Sequence, residues 1–126
     1  MKIIIETIPH CKQPYPTCGD YFHDGMGNLT ICVSEEIGTD SALLVAIHEL
    51  CEAVLCYKRG IKFADIDEFD ARFEDNRKKG DTSEPGDDQN APYRREHFFA
   101  TTIERLMAAE MGVDWKEHDN RILALP

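Results

Sequence analysis

A chain of 126 residues is one domain, with room for a single core and not for two. Its 14 Lys+Arg stand against 24 Asp+Glu, and the resulting charge of −10 repels phosphate backbones and anionic lipid, which disfavours direct nucleic-acid binding. No apolar run reaches the ~18–20 residues that span a bilayer, and Met1-Lys2 leads into a strand-like run and not a signal-peptide core, so a cytoplasmic protein is expected. Five cysteines, Cys11, Cys18, Cys32, Cys51 and Cys56, show no disulfide framework and fit free thiols in a reducing compartment.

In chain order, residues 1–38 read as strands and a hairpin. Lys2 to Ile8 is β-branched and ends at Pro9. The stretch from His10 to Asp20 carries Pro14 and Pro16 and reads as an irregular loop. His10, Cys11, Cys18 and His23 have ligand types that suit zinc, but tight Cys-x₂₋₄-Cys spacing is absent, and packing thiols with exposed histidines are the plainer expectation. Tyr21-Phe22-His23, the glycine-bearing turn Asp24 to Asn28, and Leu29 to Ser34 read as a hairpin whose second arm turns Leu29, Ile31 and Val33 to the core.

A helix is expected over 39–60, capped by Thr39 or Asp40, with Lys58 and Arg59 in its last turn and Gly60 ending it. Leu43, Ile47, Leu50 and Val54 form one apolar row and Leu44, Cys51 and Leu55 another, so protein should wrap this helix on most sides. A second helix over 63–79 carries an apolar stripe of Ile66, Phe69 and Phe73, with Asp67 and Asp70 among its acids. Residues 80–92 are a polar loop or lid. A third helix over 92–112 begins at Pro92 and ends at Gly112, with Phe99, Ala100, Ile103, Leu106 and Met107 as its core face. In the tail, 113–126, Trp115 covers the core and His118 lies at the surface. The fold class is therefore α+β: a small N-terminal antiparallel sheet packed on a buried central helix, with two further long helices.

The chemistry centres on His48-Glu49-Leu50-Cys51-Glu52. His48 and Glu52 share one helix face four residues apart, and Glu49 lies one position round. Charge on a buried helix calls for a cation, a cleft or matched partners. His48 and Glu52, with His97 from the third helix, could supply the two nitrogens and one carboxylate of a catalytic zinc site, and Glu49 the general base acting on water. Glu104, two turns beyond His97, falls nearly on the same line as a supporting residue.

The order of N-terminal strand, LTICVS arm and AIHELCEAV helix resembles the minimal core of zincin metallopeptidases, over roughly 2–60. The resemblance implies zinc, hydrolysis of a peptide or protein substrate, and pairing of that substrate with an edge strand just before the active-site helix. His48 and Glu49 carry over directly, while Glu52 stands where the family has its second histidine and His97 is the third-ligand candidate. The whole chain, with its EPGDDQNAPYRREH segment, also resembles small proteins of phages and prophages, which would place it in a host cytoplasm.

Two other readings compete. Glu49-x-x-Glu52 and Asp67-x-x-Asp70 on successive helices resemble the paired acidic motifs of all-α NTP pyrophosphatases, which implies magnesium held by oxygen ligands. Alternatively the chain is a non-enzymatic accessory protein in which His48, Glu52, His97 and Glu104 form a structural polar network or structural metal site.

Overall fold

The computed structural model describes residues 1–126. Three strands, β1 (Ile3–Ile8), β2 (Gly19–His23) and β3 (Leu29–Ser34), precede four helices, α1 (Thr39–Lys58), α2 (Phe63–Asp75), α3 (Arg94–Met111) and α4 (Trp115–Leu123). The fold is α+β, as its sequence pattern predicts. Its sheet has the order β1-β3-β2, with β2 antiparallel to β3 and β1 parallel to it, so the sheet is mixed and not wholly antiparallel.

Local chemistry sets that register. In the β2–β3 turn the Asp24 carboxylate accepts from the backbone N–H groups of Met26 and Asn28 at 2.8 and 3.0 Å, while Gly27 takes the left-handed conformation. Asn28 Oδ1 then accepts from the backbone of Lys2 at 2.8 Å. Lys2 in turn accepts from the backbone of Leu29, which starts β1 parallel to β3, pairing Ile5 with Ile31.

Leu29, Ile31 and Val33 point into the core with Tyr21, Ile37, Ala42, Val45 and Ala46, as the alternation of β3 predicts. The opposite face is closed too. Cys32 and Ser34 are buried beneath the loop after β1, where Gln13 donates to the Cys32 carbonyl and Ser34 Oγ. Because β1 lies on the far edge, beyond the reach of α1, Ile3, Ile4 and Ile5 remain exposed.

Helix α1 begins at Thr39, but Gly38 occupies the capping position, preceded by a 3-10 turn over Glu35–Ile37. Gly60 adopts positive φ just beyond its C-terminus, as expected. The sheet covers one side of α1 and α3 packs on another, running antiparallel to it, since His48 meets Glu104 while Arg59 meets Glu96. The helix expected to be wrapped on most sides keeps an open strip: Leu43 and Val54 of its apolar row are each about half exposed.

Helix α3 departs further from its expected orientation. It begins at Arg94, after Tyr93, and Gly112 ends it in the left-handed conformation. Its buried face is Glu96, His97, Ala100, Glu104 and Ala108, whereas Phe99, Leu106 and Met107 look outward. Small Ala100 and Ala108 let the helix lie close to α1, and Glu96, His97 and Glu104 on the same face find partners there, which outweighs burial of the larger apolar stripe.

Two further boundaries differ. Helix α2 stops at Asp75 and not at 79, because Asn76 Nδ2 donates back to the Arg72 carbonyl and Arg77 turns to bond Glu74 and the carbonyls of Asp81 and Ser83. The tail forms α4, with the Asp114 side chain accepting from the backbone of Glu117 at its N-terminus. His118 on α4 is fully buried and not on the surface. Trp115 rests on it at 5.2 Å between ring centroids.

Candidate metal centre

Helices α1 and α3 bring the predicted residues together. His48 and Glu52 stand one turn apart on α1, and His97 reaches them from α3. One ligand atom from each of the three lies within 4.8 Å of the others. Glu52 Oε2 is 3.2 Å from His48 Nε2 and 3.0 Å from His97 Nδ1, and the two rings meet edge to face at 4.9 Å. All three residues are buried.

The outward nitrogen of each ring faces further carboxylates. His48 Nδ1 lies 2.9 Å from Glu104 Oε1, and because a carboxylate only accepts, this nitrogen carries a proton. Glu104 Oε2 accepts from His118 Nε2 at 2.5 Å, and His118 Nδ1 meets Ser41 Oγ at 2.9 Å. A continuous polar chain thus runs from Ser41 through His118, Glu104, His48 and Glu52 to His97. Glu104 stands where the spacing from His97 placed it. The burial of His118 is not legible in the tail, where nothing in the sequence distinguishes a buried histidine from a surface one.

At the far end, His97 Nε2 lies 3.0 Å from Glu84 Oε2 and 3.2 Å from Asp87 Oδ1, within ion-pair distance but without good hydrogen-bond geometry. Asp87 ends a 3-10 turn, Pro85–Asp87, and Glu84 stands at its N-cap position, inside the expected loop. Gly86 wraps this turn onto the ring: a Cβ added there would collide with the His97 imidazole. The turn is therefore fitted against His97, and its sequence offered no sign of it beyond the acids themselves.

Electrostatics follow from burial and pairing. Burial opposes protonation of His48, but hydrogen bonds to Glu104 and Glu52 outweigh it and hold its pKa well above the usual imidazole range. Burial likewise opposes protonation of His97, yet Glu52 and Glu84 raise its pKa to about 10. Burial works to raise the Glu52 and Glu104 carboxyls, but hydrogen bonds from His48 and His97, and from His118 and His48, bring them below their ordinary values. In the metal-free chain, two imidazolium groups therefore flank an ionised Glu52.

Glu49 is different. It lies half-buried on the wall of a cavity of about 560 Å³ that also reaches His48, Glu52 and His97. Gly19 of β2 makes the room: a Cβ there would meet Val45 Cγ1 at 2.6 Å and Glu49 Cγ at 3.0 Å. Burial first, and the charge of Glu52 second, push the Glu49 carboxyl well above the ordinary range.

Asp20, Asp67 and Asp70 face the same cavity, and of the α2 acids Asp70 feels the charge of Glu52. Asp70 accepts from Tyr93 at 2.6 Å, yet burial raises its pKa to about 7 from 3.8. A carboxyl raised in the fold retains its proton after the unfolded chain has lost it, so its contribution to stability falls as pH rises from about 4 to about 7. Asp70→Asn, which keeps an acceptor for Tyr93, should stabilise the chain by about 2 kcal/mol at pH 8 and have little effect at pH 4. Urea unfolding of both proteins at the two pH values, with chelator present, checks this. An equal effect at both would show that Asp70 is not held protonated.

The loop cysteines and histidines do not form a second cluster. His10 bonds Ser34 Oγ and the Pro126 carbonyl, His23 lies beside Tyr57, and Cys11 is exposed. No helix is long and apolar enough to cross a membrane. Comparison with protein-family models, with curated proteins and with solved structures gives no match.

Proposed function

We propose that this chain is a zinc-dependent hydrolase acting on a peptide or amide bond, with His48, Glu52 and His97 as metal ligands and Glu49 as general base. The observation that carries the reading is the convergence of His48, Glu52 and His97 from two helices beside a cavity that Glu49 lines. The donor set of two nitrogens and one carboxylate suits zinc. Charge fits as well: a dication would replace the two protons that His48 Nε2 and His97 Nδ1 direct at Glu52. Glu104 on His48 and the acids beside His97 supply the carboxylate partners that orient metal-binding imidazoles.

Zinc held there would supply Lewis acidity, polarising a carbonyl and favouring deprotonation of water. The remaining steps fall to the chain. Glu49 would take a proton from the attacking water and pass it to the departing amine. A nearby cation favours its ionised form and so counters the burial that otherwise keeps it protonated. Substrate alignment would fall to β2 and not to the strand before α1, because β3 is central in the sheet and β2 alone combines an unpaired edge with residues on the cavity wall, Gly19, Asp20 and Tyr21.

The magnesium pyrophosphatase reading gains from Asp67 and Asp70 facing this cavity, but loses more. The sheet departs from an all-α fold, Glu52 is committed to two histidines, and Arg77 is the one Lys or Arg on the cavity wall to meet a phosphate. A non-enzymatic polar network is favoured by a specific observation, the unbroken chain from Ser41 to His97. The two are separated by elemental analysis of protein purified without added metal or a histidine tag and then dialysed. About one equivalent of zinc, lost in His48→Ala and in His97→Ala, is expected. Wild type that contains no metal and takes up none when zinc is supplied would leave the structural network as the account.

A further inference from the structure

The two nitrogens of His97 face two different carboxylate sets. Nδ1 looks inward to Glu52, while Nε2 looks outward to Glu84 and Asp87, and one ligand atom from each of Glu84, Asp87 and His97 again lies within 4.8 Å of the others. His97 is almost fully buried, and its Nε2 is left without a hydrogen bond of good geometry. Glu84 and Asp87 are each about half exposed. A buried imidazole nitrogen without a hydrogen bond, aimed between two carboxylates that reach solvent, has the form of a cation site at the protein surface.

We propose that Glu84, Asp87 and Nε2 of His97 form a second divalent-cation site, outside the buried His48–Glu52–His97 centre. The turn is shaped for it. Asp87 Oδ2 accepts from the backbone of Glu84 at 3.4 Å, which leaves Oδ1 toward His97. Gly86 brings the turn backbone against the ring, and both carboxylates lie beside Nε2 but off the line of its N–H, the positions of neighbouring ligands around a shared ion. Exposure leaves the remaining coordination positions to water, which suits zinc or manganese.

A neutral imidazole has one lone pair, on one nitrogen, and a proton on the other. His97 therefore serves one ion at a time. With an ion at Nε2, the proton sits on Nδ1 and is donated to Glu52. With an ion at Nδ1, it sits on Nε2 and faces Glu84 and Asp87. Each carboxylate set is a ligand in one state and an acceptor in the other, and the chain alternates between an accessible outer site and a buried inner one.

The test is a set of zinc and, separately, manganese titrations by calorimetry on the full chain. Glu52→Gln disables the inner site but keeps an acceptor for His97 Nδ1; it should still bind one ion, roughly ten- to a hundred-fold more weakly than wild type. Adding Glu84→Gln and Asp87→Asn should abolish that residual binding. His48→Gln, with and without the same pair, repeats the test by a different route, and circular dichroism verifies folding of each variant. A folded Glu52→Gln or His48→Gln chain that binds no ion would overturn the outer site. So would residual binding that survives loss of Glu84 and Asp87. The inner centre is judged separately: Glu84→Gln/Asp87→Asn alone should retain one ion if it exists, and would bind none if only the outer site is real.

Discussion

Glu104→Ala should destabilise the fold by about 3–5 kcal/mol, one of the largest effects of any single change in this chain. Its carboxylate is buried between two imidazoles, accepting from His48 Nδ1 and His118 Nε2. Alanine would leave both buried N–H groups without an acceptor and remove the negative charge that holds them. The loss would extend along the polar chain, since His118 also fixes Ser41. Glu104→Gln keeps an acceptor oxygen for one imidazole and should lose roughly half as much. Urea unfolding at pH 7 in the presence of chelator reads both. A loss below about 1 kcal/mol for alanine would mean that the histidine–carboxylate chain contributes little to the fold.

Glu49→Gln should lower any measured amide-hydrolysis rate by about 10²–10⁴-fold while leaving zinc content unchanged. Glutamine has nearly the same shape and cannot take a proton from water. The substitution also separates chemistry from folding, because it removes a carboxyl that burial and Glu52 already disfavour in its charged form. The variant should thus be at least as stable as wild type. Unchanged hydrolysis in Glu49→Gln would remove Glu49 from the mechanism, and loss of zinc would make it a ligand and not the base.

The pairs within each helix could be read from spacing alone, whereas the meeting of His97 with His48 and Glu52 across two helices could not. His48 and Glu52 share a face because four residues make about one helical turn, and Glu104 falls near the line of His97 for the same reason. Residues brought in by loops and termini could not be read in this way. Glu84, Asp87 and His118 reach the centre only through the path of the chain, and local periodicity carries no information about that path. The α3 apolar stripe misled for a related reason: hydrophobic spacing identifies a face but not what lies opposite, and here α1 presented histidine and carboxylate.

The α+β class, the three principal helices, the inward row of β3 and the pairing of His48 with Glu52 are legible in the residues alone, because all of these follow from local propensity and from periods of two and 3.6 residues. Tertiary structure alone decided the parallel placement of β1, the burial of His118, the outward turn of Phe99 and Leu106, and the two-sided environment of His97. Each of these depends on which surfaces meet across the fold, where the need to satisfy buried polar groups outweighed the simple burial of apolar ones.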